Sequence, residues 1–477
     1  MLGQRAYQTC RVLAAIALGG SGCSLIAPDD EHFVGGSGGS GASDAGTVER
    51  CDPAPPCSTP SGPATTTVAA GDAALHTIVA SANAGDVIEL SPGTYSLGQP
   101  LVFAKDGVTL RSSTGNPGDV TVNGQNYPGV VEINASNITL SGFTLTNATE
   151  TGVMGTVGIA VIPPEDARIV GTRICNMVVR NAGGEHFMNV LRTPSPTKGW
   201  ADCGLIEGSS FVLDGTPAAA ACAVRSPNGV TVSAGWGWVV RGNAFGGFTC
   251  PPGDPADPAT TCKGPPFAVV FSDGSRDTAL ENNCIVAAGR AFGFGMEQIT
   301  AVRSYPDQAD QGEQLSHVDG VIRNNVIFGG DCYDTGIELN YARRPQVVHN
   351  TVVAGVSLNY AGIDARFAAS DVFVWNNLVT GGVRCRECGK LDADVNVDVA
   401  IGGLATVFVD PAALDFHLLP GASAAIDTGA ALEVETGVDL DGEPHEVASP
   451  DVGADELGTV AADPLTPCQR LLPAAAR

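Results

Sequence analysis

Glu338 and Asp364 are acids set inside short apolar strands, "GIEL" and "GIDA", 26 residues apart. Basic groups follow closely, with Arg343 and Arg344 in "NYARRP" and Arg366 just beyond the second acid. Two carboxylates held one above the other could coordinate Ca²⁺. An Arg, Lys, His or Tyr beside them could take a proton from a bound molecule. The candidate catalytic residues are therefore Glu338, Asp364, Arg343, Arg344 and His317, with Glu338 and Asp364 also the candidate metal ligands. Asn189, Tyr341, Arg366 and Glu297 are the candidate substrate contacts. The same residues have a plainer reading, in which the acids are solvated outer positions of a strand, each offset by Arg343, Arg344 or Arg366. On that reading His317 is an ordinary loop residue and His349 a turn or surface residue.

These acids are positioned by a repeat. "RGNAF" (Asn243), "ENNCI" (Asn283), "RNNVI" (Asn325), "VHNTV" (Asn350) and "WNNLV" (Asn377) each place one Asn between two short apolar runs. The last three Asn lie 25 and 27 residues apart, and the earlier gaps of 40 and 42 fit one coil plus an inserted loop. Such a period with short strands predicts a solenoid. Asn suits its corner because it tolerates the left-handed backbone region and bonds locally. Stacked Asn side chains also bond to one another along the axis. Aligning the strands on this corner points Ile337, Leu339, Ile363 and Ala365 inward and sends Glu338 and Asp364 outward. Their backbones should then stack about 4.8 Å apart. Earlier coils are expected to bring Gly295, Thr231 and Asn189 to the same face.

"DAALHTIVASANAGDVIELSPGTYSL" (Asp72 to Leu97) resembles the opening of right-handed parallel β-helix proteins of the pectin/pectate-lyase superfamily. "NITLSGFTLTNAT" is similar to one of their coils, and "DFHLLPGASAAIDTGA" with "DLDGEPHEVASPDVGADE" to a terminal segment of secreted bacterial members. The resemblance implies an all-β right-handed parallel β-helix over 64–400, with terminal coils and a tail over 401–477. It also implies a short N-terminal capping helix presenting Leu75, Ile78, Val79 and Ala82 on one face. In that superfamily the face bearing Glu338 and Asp364 commonly carries the substrate cleft. Members include lyases, hydrolases, epimerases and binding proteins, so the fold leaves function open. The preferred expectation is a protein that binds a polysaccharide or cell-surface glycan, or serves as a surface platform. The alternative is a lyase cleaving a uronate polymer by β-elimination, with Ca²⁺ on the acid pair. "DLDGEP" with Asp451 and Asp455 resembles a calcium loop without its full spacing.

Composition bounds these readings. The 477 residues include 61 Gly and 31 Pro, only 16% are charged, and the net charge of −26 disfavours nucleic acid and anionic membranes. Residues 1–23 read as a signal peptide of lipoprotein type: Arg5 and Arg11 precede a short apolar run, and "GSGC" ends at Cys23. Either Cys23 is lipidated, placing the chain at the outer membrane or cell surface, or the chain is secreted or periplasmic. Residues 24–63 read as a Gly/Ser/Pro-rich tether. Setting aside Cys10 and Cys23 leaves 12 of the 14 Cys, an even number that suits an oxidising compartment. The local pairs expected are Cys51–Cys57, Cys250–Cys262 and Cys385–Cys388. A monomer is expected.

Overall fold

Branched and aromatic residues alternate with polar ones over only a few positions before an Asn, Asp or Gly ends each run, so every strand is short. In the computed structural model of the protein these runs wind into coils of three strands. It describes residues 51–458 and Cys468, except 53, 59–61, 72–73, 126–128, 147–156, 183–184, 190–198, 215–226, 250–265, 297–302, 304–314, 331–332, 356–359 and 435. All of these belong to one unit, Val48–Arg477. The coils stack into three main sheets of 14, 11 and 10 strands, taken here as first, second and third in the order the chain visits them. One coil runs from Val321–Arg323 in the first sheet to Val326–Gly329 in the second and Thr335–Asn340 in the third. The chain then re-enters the first sheet at Ala342–Val348, parallel to the strand it began from. The architecture is a right-handed parallel β-helix, the hand that parallel crossovers adopt.

Inward side chains of all three sheets form one continuous core that reaches from Val68 to Val379. The helix Leu75–Ala80 buries Leu75 and Val79 in it. Ala82 is buried beside them and Ile78 packs against the core from a half-exposed position.

The corner between first and second sheets is a buried amide ladder. Asn243, Asn283, Asn325, Asn350 and Asn377 are all enclosed. Each donates its Nδ2 to the Oδ1 of the next, at 2.9–3.0 Å, and Asn377 donates on to Asn396 at 2.9 Å. The same Oδ1 atoms accept the backbone N–H of the preceding coil's ladder residue. One expectation is corrected here: the left-handed conformation belongs to the residue before each ladder Asn. Gly242 (φ 61°), Asn282 (50°), Asn324 (55°), His349 (50°) and Asn376 (56°) carry it. The ladder Asn residues are selected for their two-sided hydrogen bonding inside the core.

The segment after residue 400 is not a set of further coils. Phe408–Asp410 and Asp415–Leu418 pair antiparallel, and described residues beyond them pack on the outer face of the second sheet. Phe408, Phe416, Leu418 and Val452 pack there against Cys284, Val326, Val353 and Leu378 in a second core. Cys284 is bonded to Cys468. The residues preceding the ladder hold this covering segment. Asn282 donates to the carbonyls of Val438 (3.0 Å) and Asp439 (2.6 Å), Asn324 to those of Thr436 and Val438 (both 2.6 Å), and Asn376 to that of Ala430 (2.8 Å). His349 joins the same row and is fully buried, which corrects its reading as a surface residue. Its ring stacks on His445 at 4.0 Å and its Nδ1 lies 3.2 Å from the Asp451 carbonyl.

The N-terminal end of the described chain is pinned as well. Cys51 is bonded to Cys203 and Cys57 to Cys175, so the expected Cys51–Cys57 pair is corrected. "CDPAPPC" is stiffened by three Pro into an extended run that favours reaching outward over closing on itself. Arg173 donates to the carbonyls of Pro55 and Pro56, at 2.7 and 3.1 Å, fixing the run on the solenoid. The part of the expected tether from Cys51 to Cys57 is therefore attached structure. Cys385 and Cys388 are bonded to each other. Cys23, Cys250 and Cys262 lie outside the described residues.

Two outcomes test these arrangements. Asn325→Ala strips the acceptor from the buried Asn283 N–H and should destabilise the fold by about 3 kcal/mol, read as a lowered denaturant midpoint. Asn325→Ser should lose less, since Ser209 fills the same corner in an earlier coil, accepting the Met177 N–H and passing its own N–H to Asn243.

The second concerns pH. Burial, helped by the adjacent His445, lowers the His349 pKa from 6.5 to about 3, and burial alone lowers that of His317 to about 3. The unfolded chain binds these protons first as pH falls, so stability is full above about pH 6.5 and is lost progressively toward pH 3. Between pH 6.5 and 5 each site should remove about 2 kcal/mol. His349→Asn, which copies Asn324 and Asn376, should remove about half of that loss in thermal unfolding measured at both pH values.

Candidate functional site

Strand register fixes the row in which the acids stand. Glu338 pairs with Asp364 across the third sheet, and Ile337 and Leu339 point into the core on either side. Gly293, Val270, Thr231 and Met188 precede Glu338 in the row, and Arg384 follows Asp364. Thr231 is thus where the spacing places it. Gly295 and Asn189 are not, being displaced from the row by two residues and one. Gly295 lies at a turn with φ 92°, where a Cβ would come within 1.9 Å of the Asn340 carbonyl. Asn189 is buried and exchanges two hydrogen bonds with the backbone of Ser233, so it is spent on structure.

The two acids face outward, yet both are buried: Glu338 is 4% exposed and Asp364 0%. Each is closed by an arginine. Arg290 reaches Glu338 at 2.9 Å while lying over the Phe267 ring at 3.9 Å. Arg386 reaches Asp364 at 2.5 Å while lying over the Tyr360 ring at 4.5 Å. Burial raises the Asp364 pKa and the Glu338 charge adds to the rise, while Arg386 opposes both. Neither acid presents the open carboxylate that a calcium site with substrate access requires. Their expected metal role is corrected on that ground. The expected Arg343, Arg344 or Arg366 bridge is also corrected, because the closing groups are Arg290 and Arg386.

The remaining candidates divide into three kinds. His317 lies inside the core, stacked on Phe294 at 3.8 Å with Nε2 2.8 Å from the Thr278 hydroxyl. A neutral, enclosed imidazole cannot meet a polymer, so its catalytic role is corrected. Arg344 is exposed but paired bidentately with Asp319, at 2.6 and 2.8 Å, and Arg343 is half-buried in the strand beside it. Arg366 lies over the Phe367 ring at 4.4 Å, and Tyr341 stacks on the other partner of that pair, Phe367, at 4.2 Å. Glu297 lies outside the described residues. From the same insertion, Arg303 spans to the enclosed Asp202 with two bonds of 2.6 and 2.7 Å. It lies 4.8 Å over the Trp200 ring, an anchor away from the acid row.

What sequence reasoning missed is the outer rim of this face. Arg384, the next member of the row after Asp364, is exposed and lies over Tyr360 at 4.9 Å. Among the described residues no carboxylate pairs with it. The signal was present in "GGVRCREC", one short coil after "GIDA", but a coil of about 20 residues breaks the 25–27 spacing seen before it. Tyr360 precedes the strand Ala361–Arg366 and Phe367 follows it, and the Tyr360 ring lies against Arg386 beside Asp364. Between them the acids are sealed and cationic edges face outward.

No protein-family model and no curated protein sequence matches the chain. Solved structures are similar to it at low identity. Pectate lyase Pel9A is 13% identical over 83% of this chain and 97% of that chain, with a TM-score of 0.43. An alginate lyase from Paenibacillus sp. str. FPU-7 is 12% identical over 70% and 100%, TM-score 0.35. A polygalacturonase from Erwinia carotovora ssp. carotovora is 13% identical over 75% and 98%, TM-score 0.34.

Arg386→Ala tests the sealed pair. It leaves Asp364 buried without its cation, a change that typically costs about 3–5 kcal/mol unless the acid takes up a proton. Because the folded-state pKa of Asp364 is then raised further, the loss relative to the unmodified protein should be larger at pH 8 than at pH 5. Equal losses at both pH values in chemical denaturation would show that Asp364 does not titrate.

Proposed function

We propose that the outer face of the third sheet binds an acidic polysaccharide without cleaving it. The observation that carries the reading is Arg384: an exposed guanidinium on an aromatic ring, free of any carboxylate among the described residues, in a chain of net charge −26. A charged group of that kind suits a carboxylate on a ligand. The half-exposed rings of Tyr360 and of the Tyr341–Phe367 stack offer faces against which sugar rings pack. The acids beneath serve to hold Arg290 and Arg386 in place. They make no contact with substrate on this reading, and no exposed base stands in the row to draw a proton from one.

We also place the protein in an oxidising compartment, a reading supported by the long-range disulfides Cys51–Cys203, Cys57–Cys175 and Cys284–Cys468. Among the described residues no helix is long and apolar enough to cross a membrane. A lipid on Cys23 would supply attachment on this proposal.

Calorimetric titration with polygalacturonate, alginate and a neutral glucan tests the reading. Binding to at least one uronate polymer and none to the glucan is expected, with Arg384→Ala weakening it at least tenfold, about 1.4 kcal/mol, and Tyr360→Ala weakening it less. Equal affinity for the glucan, or no effect of Arg384→Ala, would refute it. A rise in ultraviolet absorbance on mixing with a uronate polymer would replace it with β-elimination.

A further inference from the structure

Away from this face, the antiparallel hairpin and the segment that follows it bring together His417, Asp441 and Asp455. One ligand atom from each lies within 4.8 Å of the others. The hairpin strand Asp415–Leu418 presents His417 with its Nδ1 held by the Asp415 carboxylate. That contact leaves Nε2 facing Asp441, whose two oxygens both lie 3.1 Å away. Asp455 is 3% exposed. One of its oxygens accepts the Leu418 N–H at 2.6 Å.

The neighbouring acids are already spent. Asp439 accepts the N–H groups of Asp441, Glu443 and Glu456, and Asp451 those of Asp427 and Leu457. They shape the loop and offer nothing further. The calcium-loop reading of "DLDGEP" with Asp451 is therefore not the arrangement present. What remains is one imidazole nitrogen and two carboxylates, with the imidazole oriented from behind by a third carboxylate. Metal-binding histidines are held in that way.

We infer that His417, Asp441 and Asp455 form a structural site for a first-row divalent cation, with Zn²⁺ as the ion of choice. Nitrogen in the ligand set selects against Ca²⁺, which takes six to eight oxygens. Metal–ligand bonds of about 2.0–2.2 Å hold two ligand atoms no more than about 4.4 Å apart, so binding would draw these side chains slightly together by rotation. The ligands come from two segments, the hairpin and the loop that closes over the second sheet. Binding would therefore fasten the hairpin to the loop that follows it, within the covering segment, and its free energy would add to folding.

The test uses the untagged full chain, stripped with a chelator and titrated with Zn²⁺ and separately with Ca²⁺. One equivalent of Zn²⁺ should bind and raise the unfolding temperature, and Co²⁺ in its place should give a visible absorption band. His417→Gln and Asp455→Asn should each weaken Zn²⁺ binding at least tenfold. Asp441→Asn, at the more open position, serves as the second check where either of those variants loses its circular dichroism. Absence of Zn²⁺ uptake would show that the cluster is an imidazolium ion pair only and would overturn the inference. Uptake unchanged in the variants, or Ca²⁺ bound in preference to Zn²⁺, would overturn it as well.

Discussion

A three-sided coil has to turn its backbone inside the core once per revolution, and the peptide groups at that turn need partners there. The Asn ladder meets this constraint. Each side chain accepts from one coil and donates to another, so no buried amide at the corner is left over. The consequences spread outward. Because the ladder Asn points in, the residue before it must take a left-handed conformation and point out. In the C-terminal coils that outward row is Asn282, Asn324, His349 and Asn376, and it becomes the seat for the covering segment. The interior corner thus dictates where the exterior can be capped.

Much of this was legible because it repeats. Fixed Asn spacing exposed the coil, and two-residue alternation put Glu338 and Asp364 on one face of adjacent strands, as their pairing shows. Legibility failed where the argument needed contacts between distant parts. Gly295 and Asn189 were misplaced because loop lengths differ between coils, and one or two extra residues shift a register without trace in composition. His317 sits in a strand of only two residues after a long insertion, too short to show a period. The disulfides of Cys51 and Cys57 join residues 152 and 118 apart, separations that no local spacing reveals. The left-handed residue was misassigned by one because Asn is favoured both at the ladder and just before it, and "NN" pairs do not say which is which.

Burial of the acid pair was the largest gap, and its physics differs from that of a solvated surface. Alternation says which way a side chain points and is silent on what lies above it. Glu338 and Asp364 are taken out of water with cations that are themselves stacked on rings, Arg290 on Phe267 and Arg386 on Tyr360. Such a pair gives little net stability over apolar residues of the same size, because desolvation offsets the attraction. Its effect is on position: a planar guanidinium held by a carboxylate below and an aromatic face beside it has few orientations left. Tyr360 is shared between Arg386, which is paired with Asp364, and Arg384, which no carboxylate among the described residues pairs. The sealed pair therefore orders the ring on which the exposed cation rests.

Net charge also decides which anions such a surface admits. Repulsion from a chain of −26 acts over many ångströms in dilute salt, but at physiological ionic strength it fades beyond about 8 Å. On the proposed reading a ligand carboxylate within that distance would meet Arg384 and the edges of Arg366 and Arg386, while Glu338 and Asp364 are already paired with their arginines. A compact polyanion must bring all of its charge near the acidic surroundings at once. An extended chain with one charge per sugar ring places a few carboxylates on the cationic row and leaves the others beyond the screening length. On the proposed reading a solenoid face with Arg384 in the Asp364 row and Arg366 two residues along would discriminate by the spacing of charge along the ligand more than by its total.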